Sequence, residues 1–122
     1  MSESFSILVV DDDPSMANTL TDILVVKGFE VHAAYCGAEA LQILQEHPVD
    51  IMLTDVRMPD MNGVELYRAT RITHPKLRTF LMTAYAADEI IQKGMAEGIK
   101  TVFNKPMDIN LLVSIFSACR RL

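Results

Sequence analysis

Ile7-Leu8-Val9-Val10-Asp11-Asp12-Asp13-Pro14 is the stretch on which the fold turns. The aliphatic run from Ser6 to Val10 reads as a strand. Three acids then lead into Pro14, which suits the first turn of a helix with Asp13 as its N-cap. That helix carries Met16, Leu20, Ile23 and Leu24 on one face and stops at Lys27-Gly28. The same strand-then-helix unit recurs along the chain. A strand from Glu30 to Ala34 precedes a helix from Gly37 to Glu46, whose inner stripe is Ala40, Leu41 and Leu44 and which His47-Pro48 breaks. A strand from Ile51 to Thr54 precedes the loop Met58-Pro59-Asp60-Met61-Asn62-Gly63 and a helix from Val64 to about Thr73, stopped by His74-Pro75. A strand from Thr79 to Met82, a helix from Asp88 to Glu97 ended by Gly98, and a strand from Thr101 to Asn104 follow. A last helix capped by Asp108 is expected to turn Leu111, Leu112, Ile115, Phe116 and Cys119 inward. Five such units are the signature of an α/β fold built around a parallel sheet.

The length of 122 residues suits one domain, expected over residues 1–122 with no linker. Hydrophobic residues make up 50% and charged residues 22%, without a biased tract, which places the chain among globular proteins. Apolar runs such as Ile7 to Val10 are too short to span a bilayer. The start Met1-Ser2-Glu3-Ser4 lacks the basic and apolar regions of a signal peptide, so a cytoplasmic location is expected. Cys36 and Cys119 form no CxxC pair and no metal-ligand spacing with the three histidines, and read as reduced thiols. The net charge of −5 argues against broad nucleic-acid or anionic-membrane binding and favours a protein partner or a cation.

Polar residues gather where the strands end. Asp11 and Asp12 follow strand one, Asp55 ends strand three, Thr83 ends strand four, and Lys105-Pro106 follows strand five. In open parallel sheets, ligands bind outside the carboxyl ends of the strands, where strand order reverses. With strands one and three adjacent, at roughly 4.8 Å, the carboxylates of Asp11, Asp12 and Asp55 can reach one small ion. Three acids so close repel one another unless a cation intervenes. Hard oxygen ligands without histidine suit Mg²⁺, for which Mn²⁺ can substitute. Taken singly, the residues allow plainer readings: the Asp11-Asp12-Asp13 run as helix capping and solvated charge, Asp55 as a turn-starting Asp, and Lys105 as a surface lysine. Their joint placement at successive strand ends favours the functional reading, with Asp13 kept as a cap only.

The chain resembles the receiver domain of two-component response regulators from Ile7 to about Leu122. The resemblance rests on Ile7-Leu8-Val9-Val10-Asp11-Asp12-Asp13-Pro14, Leu53-Thr54-Asp55-Val56-Arg57-Met58-Pro59-Asp60-Met61-Asn62-Gly63, Met82-Thr83-Ala84-Tyr85 and Asn104-Lys105-Pro106. It implies a flavodoxin-like, doubly wound (βα)5 sandwich of three layers, with a five-stranded parallel sheet in the order 2-1-3-4-5. It further implies Asp55 as phosphoacceptor, Asp12 as a direct Mg²⁺ ligand, Asp11 as a ligand acting mainly through water, and the backbone carbonyl of Arg57 completing the set. Lys105 is implied as the charge on the phosphoryl oxygens, Thr83 as the hydroxyl that reports phosphorylation, and the Lys105-Pro106 bond as cis. Pro59 and Gly63 belong to the shared loop as structural residues. The implied donor is a phosphohistidine of a sensor histidine kinase or histidine phosphotransfer protein. The implied responding surface is formed by helix four, strand five and helix five, and serves an output domain, a downstream protein or a phosphorylation-dependent homodimer.

One position departs from that pattern. The third residue before the lysine is usually Tyr or Phe, whereas this chain has Val102, with Phe103 one place late. Strand side chains alternate, so Phe103 is expected to face the other side of the sheet and enter the core. Arg57 and Tyr85, two residues after Asp55 and Thr83, are placed to overhang a phosphoryl group, and Tyr85 is expected to restrict the attacking water. A haloacid-dehalogenase-type phosphatase needs a second Asp where Arg57 stands, and a flavin carrier needs a Ser/Thr/Gly-rich first loop where this one is acidic. The remaining alternative is a degenerate receiver that binds proteins without phosphorylation. The end Ala118-Cys119-Arg120-Arg121-Leu122 allows a stand-alone receiver or the front of a longer regulator, and its lack of a capping Gly or polar tail favours the latter.

Overall fold

The computed structural model describes residues 5–85 and 88–120. The start Met1-Ser2-Glu3-Ser4 and the final Arg121-Leu122, on which the readings of the two chain ends drew, lie outside the described residues. The elements run β1 (Ser6–Val10), α1 (Pro14–Val26), β2 (Glu30–Ala34), α2 (Gly37–Glu46), β3 (Ile51–Asp55), α3 (Gly63–Thr73), β4 (Arg78–Thr83), α4 (Glu89–Glu97), β5 (Thr101–Asn104) and α5 (Ile109–Arg120). The five strands are all parallel, in the order β2-β1-β3-β4-β5. The chain therefore reverses its direction of travel between β1 and β3, and the ends of those two strands flank a crevice.

Helices cover both faces of the sheet. Ile7 and Val9 of β1 point to one side, with Leu53, Phe80, Met82 and Phe103, where α1 packs through Ala17, Leu20 and Leu24 and α5 through Leu112 and Phe116. Leu8 and Val10 point to the other side, under α2 and α3, and Leu81 packs there with Val64, Tyr67 and Ile91 of α3 and α4. Because both faces are covered, β1 reads as an unbroken apolar run rather than an alternating one. Phe80, Phe103 and Phe116 form a ring cluster with centroids 5.2 to 6.2 Å apart. Such pairs contribute about 0.5–1.5 kcal/mol each beyond their buried area. Phe103 is thus a core residue, as its strand register requires, and Val102 packs on the opposite face beside Leu81, Ile91 and Ile99.

The sequence reading needs correction in a few places. β3 includes Asp55, β4 extends to Arg78 and Thr83, and α3 begins at Gly63 behind Asn62, whose side chain forms a capping box with Glu65. Leu111 is 51% exposed rather than inward. Leu112 and Phe116, four apart, define the buried stripe of α5, and Leu111 lies about 100° round the helix from Leu112. It lines an open groove with Val102 and Ile115 instead.

Helix α2 receives no side-chain cap from Cys36, the residue that precedes it. The backbone N–H groups of Gly37 and Ala38 donate instead to Asp60 Oδ1 and Oδ2, at 3.1 and 2.9 Å, across 23 and 22 residues of sequence. These two bonds hold the Asp60 carboxyl below its ordinary value of 3.8. A group depressed by folding stabilises the native state above its unfolded pKa and loses that contribution as pH falls through the folded one. Asp60→Ala is expected to cost about 0.5–1 kcal/mol in urea denaturation at pH 7, and the gap between parent and variant is expected to narrow as the pH falls below about 4 and to close only below the lowered native value of the carboxyl.

Candidate functional site

Asp11 is fully buried just beyond β1. Its Oδ1 accepts from the backbone N–H of Asp13 at 3.0 Å, and its own N–H donates to Ala34 O at 3.1 Å. Asp12 is exposed beside it, and Asp13 turns away to cap α1 by accepting from Ser15 N at 3.0 Å. The β1–β3 register pairs Val10 with Thr54, which sets Asp55 beside the acids that follow β1. One carboxylate oxygen from each of Asp11, Asp12 and Asp55 lies within 4.8 Å of the others.

Lys105 enters from the far edge of the sheet. β5 pairs with β4 so that Thr83 faces Asn104, and the N–H of Lys105 donates to Thr83 O at 2.8 Å. The side chain then reaches across β4, and its Nζ donates to Asp55 Oδ2 at 3.1 Å and to Asp11 Oδ2 at 3.2 Å. The Lys105–Pro106 bond is cis. Burial raises the Asp55 carboxyl above its ordinary value, Lys105 opposes this, and the Asp11 charge adds to it. Burial alone pulls the Lys105 ammonium down, but the Asp55 and Asp11 carboxylates outweigh it and leave the ammonium raised. Three carboxylates thus cluster where a single ammonium pairs with two of them. A divalent cation fits this donor set, because all the donors are hard oxygens and the uncompensated charge is that of two carboxylates.

Asp55, Arg57, Thr83, Ala84, Tyr85 and Lys105 line an open pocket of about 180 Å³. A larger cleft of about 460 Å³, lined by Arg71, Lys76 and Lys100 among others, lies at the opposite end of the sheet, away from the carboxylates. Thr83 is buried, and its Oγ1 accepts from Tyr85 N at 3.0 Å. Arg57 lies 5.3 Å from the centroid of the exposed Tyr85 ring and pairs with Asp88 at 2.7 Å. Every residue singled out from the sequence for the site therefore lies at this edge, except Val102, which packs under α4, and Pro59, which sits in the exposed turn before α3.

The chain belongs to the response regulator receiver domain family. The family's model, described as the response regulator receiver domain, matches residues 7–117. The chain is 32% identical over 104 residues to sporulation initiation phosphotransferase F of Bacillus subtilis (strain 168), covering 85% of this chain and 84% of that protein. It is 36% identical over 108 residues to the response regulator receiver protein Anae109_2439 of Anaeromyxobacter sp. (strain Fw109-5), covering 88% of this chain but only 45% of that protein. Among solved structures, the CheY-like response regulator receiver domain protein from Methanospirillum hungatei JF-1 superposes with a TM-score of 0.89 at 28% identity, covering 98% of this chain and 96% of that one.

Two features of this receiver domain escaped the sequence. Asp60 was legible as part of the loop but not as the cap of α2, and Asp88 was legible as a helix start but not as the partner of Arg57, 31 residues away. Gly63, by contrast, has a reason visible in the structure. A Cβ there would lie 2.6 Å from the backbone oxygen of Asp55 and 3.2 Å from Leu81 Cδ2. Gly63→Ala is expected to destabilise the fold by roughly 1–3 kcal/mol in a denaturant melt, because the Asp55 backbone has to move to admit the methyl group.

Proposed function

We propose that this receiver domain accepts a phosphoryl group on Asp55 and acts as a signalling switch rather than as an enzyme on small substrates. The observation that carries the reading is the arrangement of Lys105, whose ammonium reaches Asp55 and Asp11 together at the carboxyl edge of the sheet. In the step, a carboxylate oxygen of Asp55 forms a bond to phosphorus while the P–N bond of a donor phosphohistidine breaks. The electron pair leaves with the imidazole nitrogen. The Lys105 charge stabilises the phosphoryl oxygens, as a mobile ammonium does well, and the carboxylate needs only to be held in line. Asp11, Asp12, the Asp55 carboxylate and the Arg57 carbonyl would hold Mg²⁺, or Mn²⁺ in its place. That ion, when bound, neutralises charge on the carboxylates and on the transferring phosphoryl group.

Thr83 follows as the residue that answers the product. Its buried hydroxyl sits in the same pocket as Asp55, and an aspartyl phosphate adds up to two negative charges there. The donor class is a sensor histidine kinase or phosphotransfer protein, and the recipient of the signal is an output domain or separate partner acting through α4, β5 and α5. The half-buried Val102 and exposed Leu111 on that face are apolar and open, which suits docking. Residues 1–122 form the receiver unit in this reading. Its place in the cytoplasm is part of the proposal too, and no helix among the described residues is long and apolar enough to cross a membrane.

Intact mass after incubation with acetyl phosphate tests the reading. The parent is expected to gain one phosphoryl group only with Mg²⁺ present, and Asp55→Asn to gain none. No gain by the parent under any condition would leave a receiver fold that binds partners without phosphorylation. Tyr85 is expected to shield the product from water, so Tyr85→Ala should lose phosphate several-fold faster in the same mass assay. An unchanged decay would reduce Tyr85 to an exposed ring without kinetic effect.

A further inference from the structure

The pocket that holds Asp55 is tied to helix α4 by one carboxylate with two tasks. Asp88 Oδ1 accepts from Ile90 N at 3.0 Å and caps α4, while Asp88 Oδ2 accepts from Arg57 Nη2 at 2.7 Å. Arg57 lies over Tyr85, and both line the pocket with Asp55 and Lys105. The guanidinium is thus a second cation at the mouth of the pocket, held by an acid that is not among the lining residues. Its side chain is 64% exposed and that of Asp88 20%, so the pair is screened by solvent and weak enough to exchange.

A phosphoryl group arriving on Asp55 changes the competition for that guanidinium. It offers up to two negative charges against the single charge of Asp88, and its oxygens suit the planar fork of an arginine. We propose that Asp88 is a positioning residue for phosphoryl transfer: it holds Arg57 away from the incoming phosphoryl group, and the transfer draws Arg57 off Asp88. The ion pair then opposes phosphorylation, and its opening reports phosphorylation to the first turn of α4. The proposal rests on Asp55 being the phosphoacceptor.

Asp and Asn cap helices about equally well, so Asp88→Asn removes the charge while keeping the cap. The measurement is the initial rate of mass gain from acetyl phosphate with Mg²⁺ for four proteins: the parent, Asp88→Asn, Arg57→Gln and the double variant. In that reaction Asp55 forms the O–P bond and acetate leaves with the electron pair, so no further reactant is needed. Asp88→Asn is expected to gain phosphate about two- to five-fold faster than the parent, the range that an exposed ion pair can supply. In the Arg57→Gln background the same substitution is expected to change nothing beyond what removing one negative charge does to an anionic donor. A rate for Asp88→Asn equal to the parent's, or an equal acceleration with and without Arg57, overturns the proposal. Failure of the parent itself to gain phosphate would show in the first trace, and would remove the phosphoacceptor reading along with this one.

Discussion

A single ammonium, that of Lys105, stands between the carboxylates of Asp11 and Asp55 at 3.2 and 3.1 Å. One of those acids is fully buried and the other is half-buried, in a place where an unpaired charge costs several kcal/mol. The lysine compensates part of that cost but not all of it. Burial still lifts the Asp55 carboxyl, and Asp12 adds a third acid at the rim. The edge of the sheet is thereby left short of positive charge, which is the condition for taking up a hard cation.

That shortage is set in a largely apolar interior. The strands that hold Asp11 and Asp55 are buried on both faces, between α1 and α5 on one side and α2, α3 and α4 on the other. The interior is largely apolar, and most of the few buried polar groups lie near the ends of strands. Parallel order makes this economical of space, since every strand delivers its last residue to the same edge. Lys105 needs the cross-sheet reach that the β4–β5 register provides, because its backbone is fixed against Thr83 and not against Asp55.

Connections between the edge and its surroundings run through loops. The β3–α3 loop sends Asp60 to cap α2, Arg57 to Asp88 at the start of α4, and Gly63 against the Asp55 carbonyl. One short loop therefore binds the candidate phosphoacceptor to two helices. Of these contacts the Arg57–Asp88 ion pair joins exposed groups that can exchange one partner for another. They also place the exposed pair of Arg57 and Tyr85 where solvent meets the pocket.

Much of this was present in the order of residues. Apolar runs ending in Asp11, Asp55, Thr83 and Lys105, with turns marked by Gly and Pro, are local signals, and strand and helix boundaries fell within a residue of them because local periodicity and capping set those boundaries. The opposed facing of Val102 and Phe103 was legible for the same reason, since strand alternation is a property of the backbone alone. Strand order came from family resemblance and not from periodicity, which says nothing about which strand lies beside which. The outward turn of Leu111, the cap that Asp60 provides and the pairing of Arg57 with Asp88 were decided only by the tertiary structure. Each depends on where a distant element comes to rest, and sequence spacing carries no such distance.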